Sequence, residues 1–162
     1  MRLKFSAFLI GLSLIGASGT ALAAPDKTLA QLCARICGGS WTNSDGPVTQ
    51  FYRFEMDERY GVIRGRFGPS TDKPQTPSDS MIVYGFDKAA GGLWSVQSFR
   101  GEAPRLGTVR LESDGFTVVE QSSAGTVASA FTFDKTTMTQ RTAVSSAAGG
   151  HIAEPIVYQR SK

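Results

Sequence analysis

Residues 81–100 have the sequence MIVYGFDKAAGGLWSVQSFR, in which a glycine-containing turn separates two β-type stretches. Residues 81–87 and 93–100 are rich in β-branched and aromatic side chains, which favour strands. The stretch between them, Lys88 to Gly92, carries the glycines that tight connections use. Because this connection is short, the two stretches predict an antiparallel hairpin.

The same pattern recurs along most of the chain. Short turn signals rich in Gly, Asp, Asn and Ser separate further stretches of β-type residues. No stretch after Gly39 resembles a helix long enough to cross between parallel strands, so the sheet is predicted to be antiparallel. Besides a short strand around Trp41, the predicted strands are 48–57, 60–67, 81–87, 93–100, 106–112, 116–121, 126–133, 137–144 and 152–160.

An antiparallel meander of this length leaves exposed edges unless the sheet closes on itself. We therefore predict an all-β fold, an antiparallel up-and-down β-barrel of about 8–10 strands. A two-sheet sandwich is the alternative, but it expects longer crossover connections. The one long connection, GPSTDKPQTPSDS at residues 68–80, contains three prolines and is predicted to be a surface loop over one end of the barrel.

The N-terminal segment has the features of an export signal. Basic residues at Met1–Lys4 precede an apolar run at Ala7–Gly16, and Ala21–Ala23 supplies a small-x-small cleavage site. The apolar run is shorter than the roughly 20 residues that span a membrane. We predict cleavage after Ala23, which leaves one domain at 24–162 in the periplasm or outside the cell; a retained membrane anchor is the alternative.

Composition excludes several classes of protein. Charged residues are 19% of the chain and hydrophobic residues 41%, which excludes a disordered polyelectrolyte and a membrane bundle. The chain has 17 basic and 14 acidic residues, and Arg2 and Lys4 would leave with the signal, so we predict no nucleic-acid partner. One His and two Cys exclude most zinc sites. No metal, cofactor or catalytic residue is predicted.

Residues 26–39 are predicted to form a short helix that caps one end of the barrel. Asp26 or Thr28 can cap its N-terminus, and Gly38-Gly39 can end it because glycine adopts the left-handed conformation without a Cβ penalty. Five apolar side chains fall on one helical stripe. They are Leu29, Leu32, Cys33, Ile36 and Cys37.

Cys33 and Cys37 are predicted to form a disulfide, because export places them in an oxidising compartment. Cβ atoms at this spacing on a regular helix lie about 5–6 Å apart. A disulfide needs about 3.5–4.5 Å, so the bond requires a distorted helix end. Free thiols packed as small apolar groups are one alternative, and a copper(I) site completed by His151 or Met56 is another.

A barrel this wide is hard to fill with side chains, so we predict a cavity that binds a small apolar or amphipathic molecule. The alternative is that the aromatic residues fill a dry core. The predicted ligand-binding residues are Phe54, Tyr84, Trp94, Val96, Arg100, Phe131, Phe133 and Arg141.

Glu120 is the carboxylate predicted to point inward. With Arg64, Arg100 and Arg141 it could form an inner polar patch suited to a carboxylate-bearing ligand. Alternatively, these arginines face water and keep the strands soluble.

Two motifs resemble those of the lipocalin-like (calycin) family. Gly39-Ser40-Trp41 opens the β-region after the helix, and Tyr158-Gln159-Arg160 closes the last strand. The stretches 83–87, 93–95 and 107–109 are also similar to the meander of small, mostly uncharacterised lipocalin-like proteins exported by bacteria. This resemblance implies a ligand-holding barrel without catalysis. It also implies that Trp41 and Arg160 stack near the closed end.

Two other functions remain open. An enzyme of the isomerase or cyclase type could use the same cavity, and a polar cluster deep in the cavity would favour it. A protein-interaction module of the cell envelope, with a filled core, would be favoured by an exposed aromatic patch on one sheet face.

Overall fold

The computed structural model describes residues 26–45, 49–69, 80–99, 102–123 and 125–161. The predicted signal peptide and most of the predicted 68–80 loop lie outside these residues. The described residues form one helix and eleven strands. They are α1 Lys27–Ile36, β1 Ser40–Asn43, β2 Gln50–Asp57, β3 Val62–Pro69, β4 Ser80–Asp87, β5 Gly92–Ser98, β6 Arg105–Leu111, β7 Gly115–Ser122, β8 Gly125–Phe133, β9 Thr137–Ser146, β10 Gly149–Ile152 and β11 Ile156–Ser161.

The sheet closes into a barrel. Strands β1 to β9 pair in chain order and antiparallel, and β11 lies between β9 and β1. This closes a ring of ten strands, to which β10 is added as an eleventh strand outside the ring. The predicted antiparallel up-and-down barrel is therefore confirmed.

The predicted strand 152–160 begins too early, because β11 starts at Ile156, and β10 at Gly149–Ile152 is an additional strand that overlaps the prediction only at Ile152. Both β10 and β11 pair with the same side of β9, β10 opposite residues 143–146 and β11 opposite residues 137–140. The chain leaves the ladder between them at Ala153–Pro155. A proline has no N–H to donate to a ladder and interrupts a strand, which accounts for the break.

The helix begins where the sequence predicts. Asp26 is its N-cap, and the Oδ1 atom of Asp26 accepts a hydrogen bond from the backbone N–H of Thr28 at 2.7 Å. Leu29, Leu32 and Ile36 are fully buried. These residues form the predicted apolar stripe, which packs against β2, β3 and β4.

Arg35 fixes the position of the helix on the barrel. Its guanidinium donates to the backbone carbonyls of Glu112, at 2.7 Å, and of Gly115. Both carbonyls lie at the turn between β6 and β7, so α1 covers the end of the barrel where this turn lies. We call this the closed end and the opposite one the open end.

Cys33 and Cys37 form the predicted disulfide, with Cα atoms 5.0 Å apart. The helix end is distorted as the geometry requires. α1 ends at Ile36, and Cys37 is already extended, with φ −79° and ψ 168°. Gly38 follows at φ +81°, a left-handed conformation that glycine adopts without strain.

Trp41 and Arg160 are in contact at the closed end. They lie opposite each other on β1 and β11, and the Arg160 guanidinium carbon is 5.1 Å from the centroid of the Trp41 ring. The Trp41 indole N–H donates to the carbonyl of Ile36 at 3.0 Å. Arg160 donates to the carbonyl of Cys37 at 2.7 Å. The two side chains thus join the barrel wall to the end of the helix.

Candidate functional site: the cavity at the open end

Inside the barrel lies a cavity of about 190 Å³. Its lining residues alternate along their strands, and many lie near the strand ends that meet at the open end. The lining comprises Gln50, Tyr52, Phe67, Ile82, Tyr84, Gln97, Phe99, Arg105, Val118, Glu120, Val127, Ser129, Phe131, Gln140, Thr142, Ile156 and Tyr158.

Aromatic rings form part of the cavity wall. Phe131 stacks on the buried Phe116 with ring centroids 4.6 Å apart. Tyr84 meets Phe116 edge to face at 6.0 Å, and Tyr52 meets Phe131 in the same way at 6.2 Å. Such edge-to-face and stacked pairs hold rings in fixed orientations. The cavity therefore has rigid aromatic walls.

One side of the cavity carries a chain of hydrogen bonds, which we call the tyrosine wall. The hydroxyls of Tyr52 and Tyr158 both donate to the Oε1 atom of Gln140, each at 3.2 Å. The Nε2 group of Gln140 donates to the Thr142 hydroxyl at 3.2 Å. That hydroxyl lies 3.1 Å from the hydroxyl of Ser129.

The tyrosines of this wall are held in the neutral form. Burial is the main reason that the pKa of Tyr52 is raised and that the pKa of Tyr158 is raised to about 12. Both hydroxyls therefore keep their protons near neutral pH, and their protons are committed to Gln140.

Glu120 lies on the opposite side, beside a glycine. Ser95, Gly107 and Glu120 are neighbours across β5, β6 and β7. A Cβ atom on Gly107 would come within 2.7 Å of the Glu120 Cγ and 2.6 Å of the Ser95 Oγ. Because Gly107 has no side chain, Glu120 can reach over it toward Ser95, where the Ser95 Oγ lies 3.5 Å from its Oε1.

Glu120 is only 6% exposed. Burial is the largest influence on its carboxyl group and raises its pKa, while the charge of Arg105 and the hydrogen bond from Ser95 act in the opposite direction. Glu120 therefore ionises at a higher pH than a free glutamate does. The sequence-based prediction that this carboxylate points inward is confirmed.

Arg105 is the arginine that faces Glu120. Its guanidinium carbon lies 4.4 Å from the centroid of the Phe99 ring, and its Nη2 group is 2.9 Å from the Oε2 atom of Glu102. Its Nε–H is buried and has no hydrogen-bond partner among the residues that the structure describes. A buried donor without an acceptor is uncommon in a folded protein and identifies a position where an acceptor would be stabilised.

Four of the predicted ligand-binding residues lie inside the barrel. Tyr84 and Phe131 line the cavity. Phe54 is buried and does not line it; its ring lies over Gly65, where a Cβ would come within 2.5 Å of it. Phe133 lies nearer the closed end, with its ring 5.5 Å from that of Trp41.

The structure corrects the placement of three others, because Trp94, Val96 and Arg141 lie on the outer face of the barrel. The inward residues of β5 are instead Leu93, Ser95 and Gln97. Trp94 lies outside because Gly85, opposite it on β4, leaves a recess for the indole. A Cβ on Gly85 would be 2.1 Å from the Trp94 Cζ2.

Arg64 and Arg141 do not contribute to the predicted inner arginine patch. Arg64 is 54% exposed and forms an ion pair with Asp57 at 2.9 Å, and Arg141 is exposed. Arg100 lies outside the described residues. The position inside the cavity is taken by Arg105, which the sequence pattern did not single out.

Other cavity residues were also missed. The largest are Tyr52, Phe67, Phe99 and Tyr158. Tyr52 shares a face of β2 with Phe54, which was predicted to face inward, so strand alternation could have found it. Phe99 shares a face with Leu93. Because Ser95 and Gln97 lie on the same face and are polar, the sequence pattern does not indicate that this face points inward.

Within the residues that the structure describes, no three His, Cys, Asp or Glu side chains come together as metal ligands. The helix found there is too short and too polar to cross a membrane. Comparison of the chain with protein families, with curated proteins and with solved structures gives no match. The feature of the described residues that bears on function is therefore the geometry of the cavity.

Proposed function

We propose that this chain is an exported, lipocalin-like protein that holds a small amphipathic molecule in its barrel and does not change it chemically. The observation that carries the proposal is the cavity, which combines aromatic walls with polar groups on two sides. A pocket that is mostly apolar and has a few convergent polar groups is the usual form of a small-molecule site. The signal-like residues 1–23 support export.

The volume of the cavity limits the size of the ligand. About 190 Å³ is close to the roughly 150 Å³ of an engineered apolar cavity that binds benzene. Sites for drug-sized molecules measure about 300–1,000 Å³. A compound with one ring, or a short chain of similar size, fits these dimensions.

The chemistry of the lining supports an amphipathic ligand over a purely apolar one. Phe131 and Tyr84 offer ring faces, whereas Gln97, Arg105 and Glu120 offer polar atoms nearer the open end. A ligand that inserts its apolar part first would place its polar part among these three residues. A hydrocarbon would offer these groups no hydrogen bond and would leave the buried Nε–H of Arg105 without an acceptor, which is unfavourable.

Native mass spectrometry of the protein purified from its own cell envelope tests this proposal. We expect extra mass that disappears on denaturation, and a polypeptide mass consistent with cleavage after Ala23. The variant Ser129→Phe places a ring in the cavity and should lack the extra mass. Ala130→Phe on the outer side of the same strand is the matched control and should retain it.

Two outcomes would contradict the proposal. One is a bare polypeptide in the wild-type sample. The other is extra mass retained by Ser129→Phe, which would place the bound molecule elsewhere.

One observation favours a second candidate, an enzyme of the isomerase type. Glu120 is a buried carboxyl with a raised pKa, which is a property of groups that transfer protons. In that case the compound released from the Glu120→Gln variant would change its retention time on incubation with wild-type protein. A compound that emerges unchanged would support binding without catalysis.

A further inference from the structure

We propose that the ligand carries a carboxylate, and that this group accepts a hydrogen bond from the Nε–H of Arg105 while the apolar part of the ligand lies deeper, beside Tyr84 and Phe131. This inference rests on the proposed binding function and specifies the chemistry of the ligand. It depends on which partners Arg105 and Glu120 already have and which they lack.

Arg105 is held in place from two sides. Its guanidinium packs on the Phe99 ring at 4.4 Å, and its Nη2 group forms the ion pair with Glu102 at 2.9 Å. The side chain is 23% exposed and is the first inward residue of β6, opposite Gln97 on β5. Its orientation is thus fixed before any ligand arrives, which reduces the entropy lost on binding.

The Nε–H is the donor that these contacts leave unused. It is buried, no described residue supplies an acceptor for it, and it belongs to a side chain that lines the cavity. A buried donor without an acceptor is destabilising, so a ligand that supplies an oxygen there gains more than a surface hydrogen bond provides. Because the donor is positively charged, a carboxylate oxygen is a stronger acceptor than a neutral oxygen.

Glu120 needs hydrogen-bond donors or positive charge instead of an acceptor, and the protein already provides both. Its carboxyl has the Ser95 hydroxyl at 3.5 Å and the charge of Arg105 nearby. A ligand amine would therefore compete with partners that are present, whereas a ligand carboxylate would meet a donor that has none. Since burial raises the pKa of Glu120, this group takes up a proton more readily and can then donate to the ligand instead of repelling it.

The other titratable groups near Glu120 are consistent with this arrangement. Tyr84 on β4 faces Glu120, and burial raises the pKa of Tyr84 well above its usual value, so Tyr84 adds no negative charge. The tyrosines of the opposite wall are neutral and donate to Gln140. Among the described residues that line the cavity, the charged side chains are therefore Arg105 and Glu120.

Three probes of one size separate the possibilities: benzoate, benzyl alcohol and benzylamine. Their affinities for the wild-type protein are measured by calorimetry or by titration of amide chemical shifts. We expect benzoate to bind about tenfold or more tightly than benzyl alcohol, which is the ratio that a charge-assisted hydrogen bond produces.

Variants of Arg105 assign this preference to one atom. In Arg105→Gln, benzoate should lose more affinity than benzyl alcohol and should bind no better than it, and the remaining binding of benzyl alcohol shows that the cavity is intact. Arg105→Lys keeps the charge but lacks the Nε–H, so it should lose most of the preference. Arg110→Gln is the matched control, because Arg110 lies on the outer face of the same strand and its side chain is 82% exposed.

The outcomes distinguish this inference from the proposed function. Equal affinity for benzoate and benzyl alcohol, tighter binding of benzylamine, or a benzoate preference that survives in Arg105→Gln would overturn the inference and leave cavity binding in place. Failure of all three probes to bind the wild-type protein at millimolar concentration would overturn both.

Discussion

The two ends of the barrel are built from the same strands but differ in what fills them. At the closed end, Leu29, Leu32, Ile36 and Trp41 are at most 1% exposed and pack against each other and the wall. At the open end the interior contains a cavity, and the side chains around it carry hydroxyl, amide, carboxyl and guanidinium groups. The side chains of the helix and Trp41 therefore fill the closed end, whereas the polar groups of the proposed binding site lie nearer the open end.

The first test compares one truncation at each end. Leu32→Ala removes a fully buried side chain between helix and barrel and should lower the free energy of unfolding by about 2–5 kcal/mol. Val127→Ala removes two methyl groups from a half-buried residue of the cavity wall and should lower it by about 1 kcal/mol. Urea unfolding of both variants measures the difference, and equal losses would contradict the division between the two ends.

The second test uses pH to examine Glu120 at the open end. Its pKa is raised on folding, so the folded state binds its proton more tightly than the unfolded state does. The stability this provides is complete below the unfolded pKa and is lost as the pH rises through the folded pKa. A tenfold difference in proton affinity between the two states corresponds to about 1.4 kcal/mol.

Glu120→Gln removes this titration. The free energy of unfolding of the wild type minus that of Glu120→Gln should therefore decrease as the pH rises above about 4.3, the ordinary pKa of glutamate. Unfolding by urea at a series of pH values measures this difference in free energy. The variant Glu55→Gln, at an exposed position, is the control. A difference that increases with pH would show that Arg105 outweighs burial.

The third and smallest effect concerns the outer face of the barrel. Trp94→Ala uncovers Gly85 and should lower the free energy of unfolding by about 1 kcal/mol. The affinity for benzyl alcohol should not change, because Trp94 does not line the cavity. Phe131→Ala removes a ring from the cavity wall and should weaken the affinity for benzyl alcohol. If Trp94→Ala and Phe131→Ala weakened the affinity for benzyl alcohol equally, Trp94 would belong to the binding site.

The fold could be predicted from the sequence because its signals are local. Each hairpin is specified by a turn and by two flanking stretches, and the edge argument then favours closure. Strand β10 was missed because Gly149 and Gly150 are typical of a turn, and the start of the last strand was predicted too early although Pro155 is visible in the sequence. The ends of most strands differ from the prediction by a few residues. The reason is that the backbone hydrogen bonds next to a turn, and not the residue types there, determine where a strand ends.

The site was harder to predict because its wall reverses the usual pattern. Alternation normally places apolar residues inside, but on β5 the inward face carries Ser95 and Gln97, and the outward face carries Trp94 and Val96. The covering of Gly85 by Trp94 depends on the register between β4 and β5, which composition does not specify. Arg105 was missed for a related reason, since its inward orientation next to Glu120 depends on the register between β6 and β7.

The pairing of β1 with β11 has a consequence for the order in which the barrel is made. Thr42 and Gln159 are 117 residues apart in the chain, and β11 is synthesised after all the other strands. Until it emerges, β1 and β9 are open edges of an otherwise finished meander, and Trp41 lacks the guanidinium that covers it. Every earlier strand pairs with a neighbour made moments before, whereas the closing step must bring distant segments together, which is the slow kind of contact in protein folding. The cavity is therefore complete only when residues 156–161 have joined its wall.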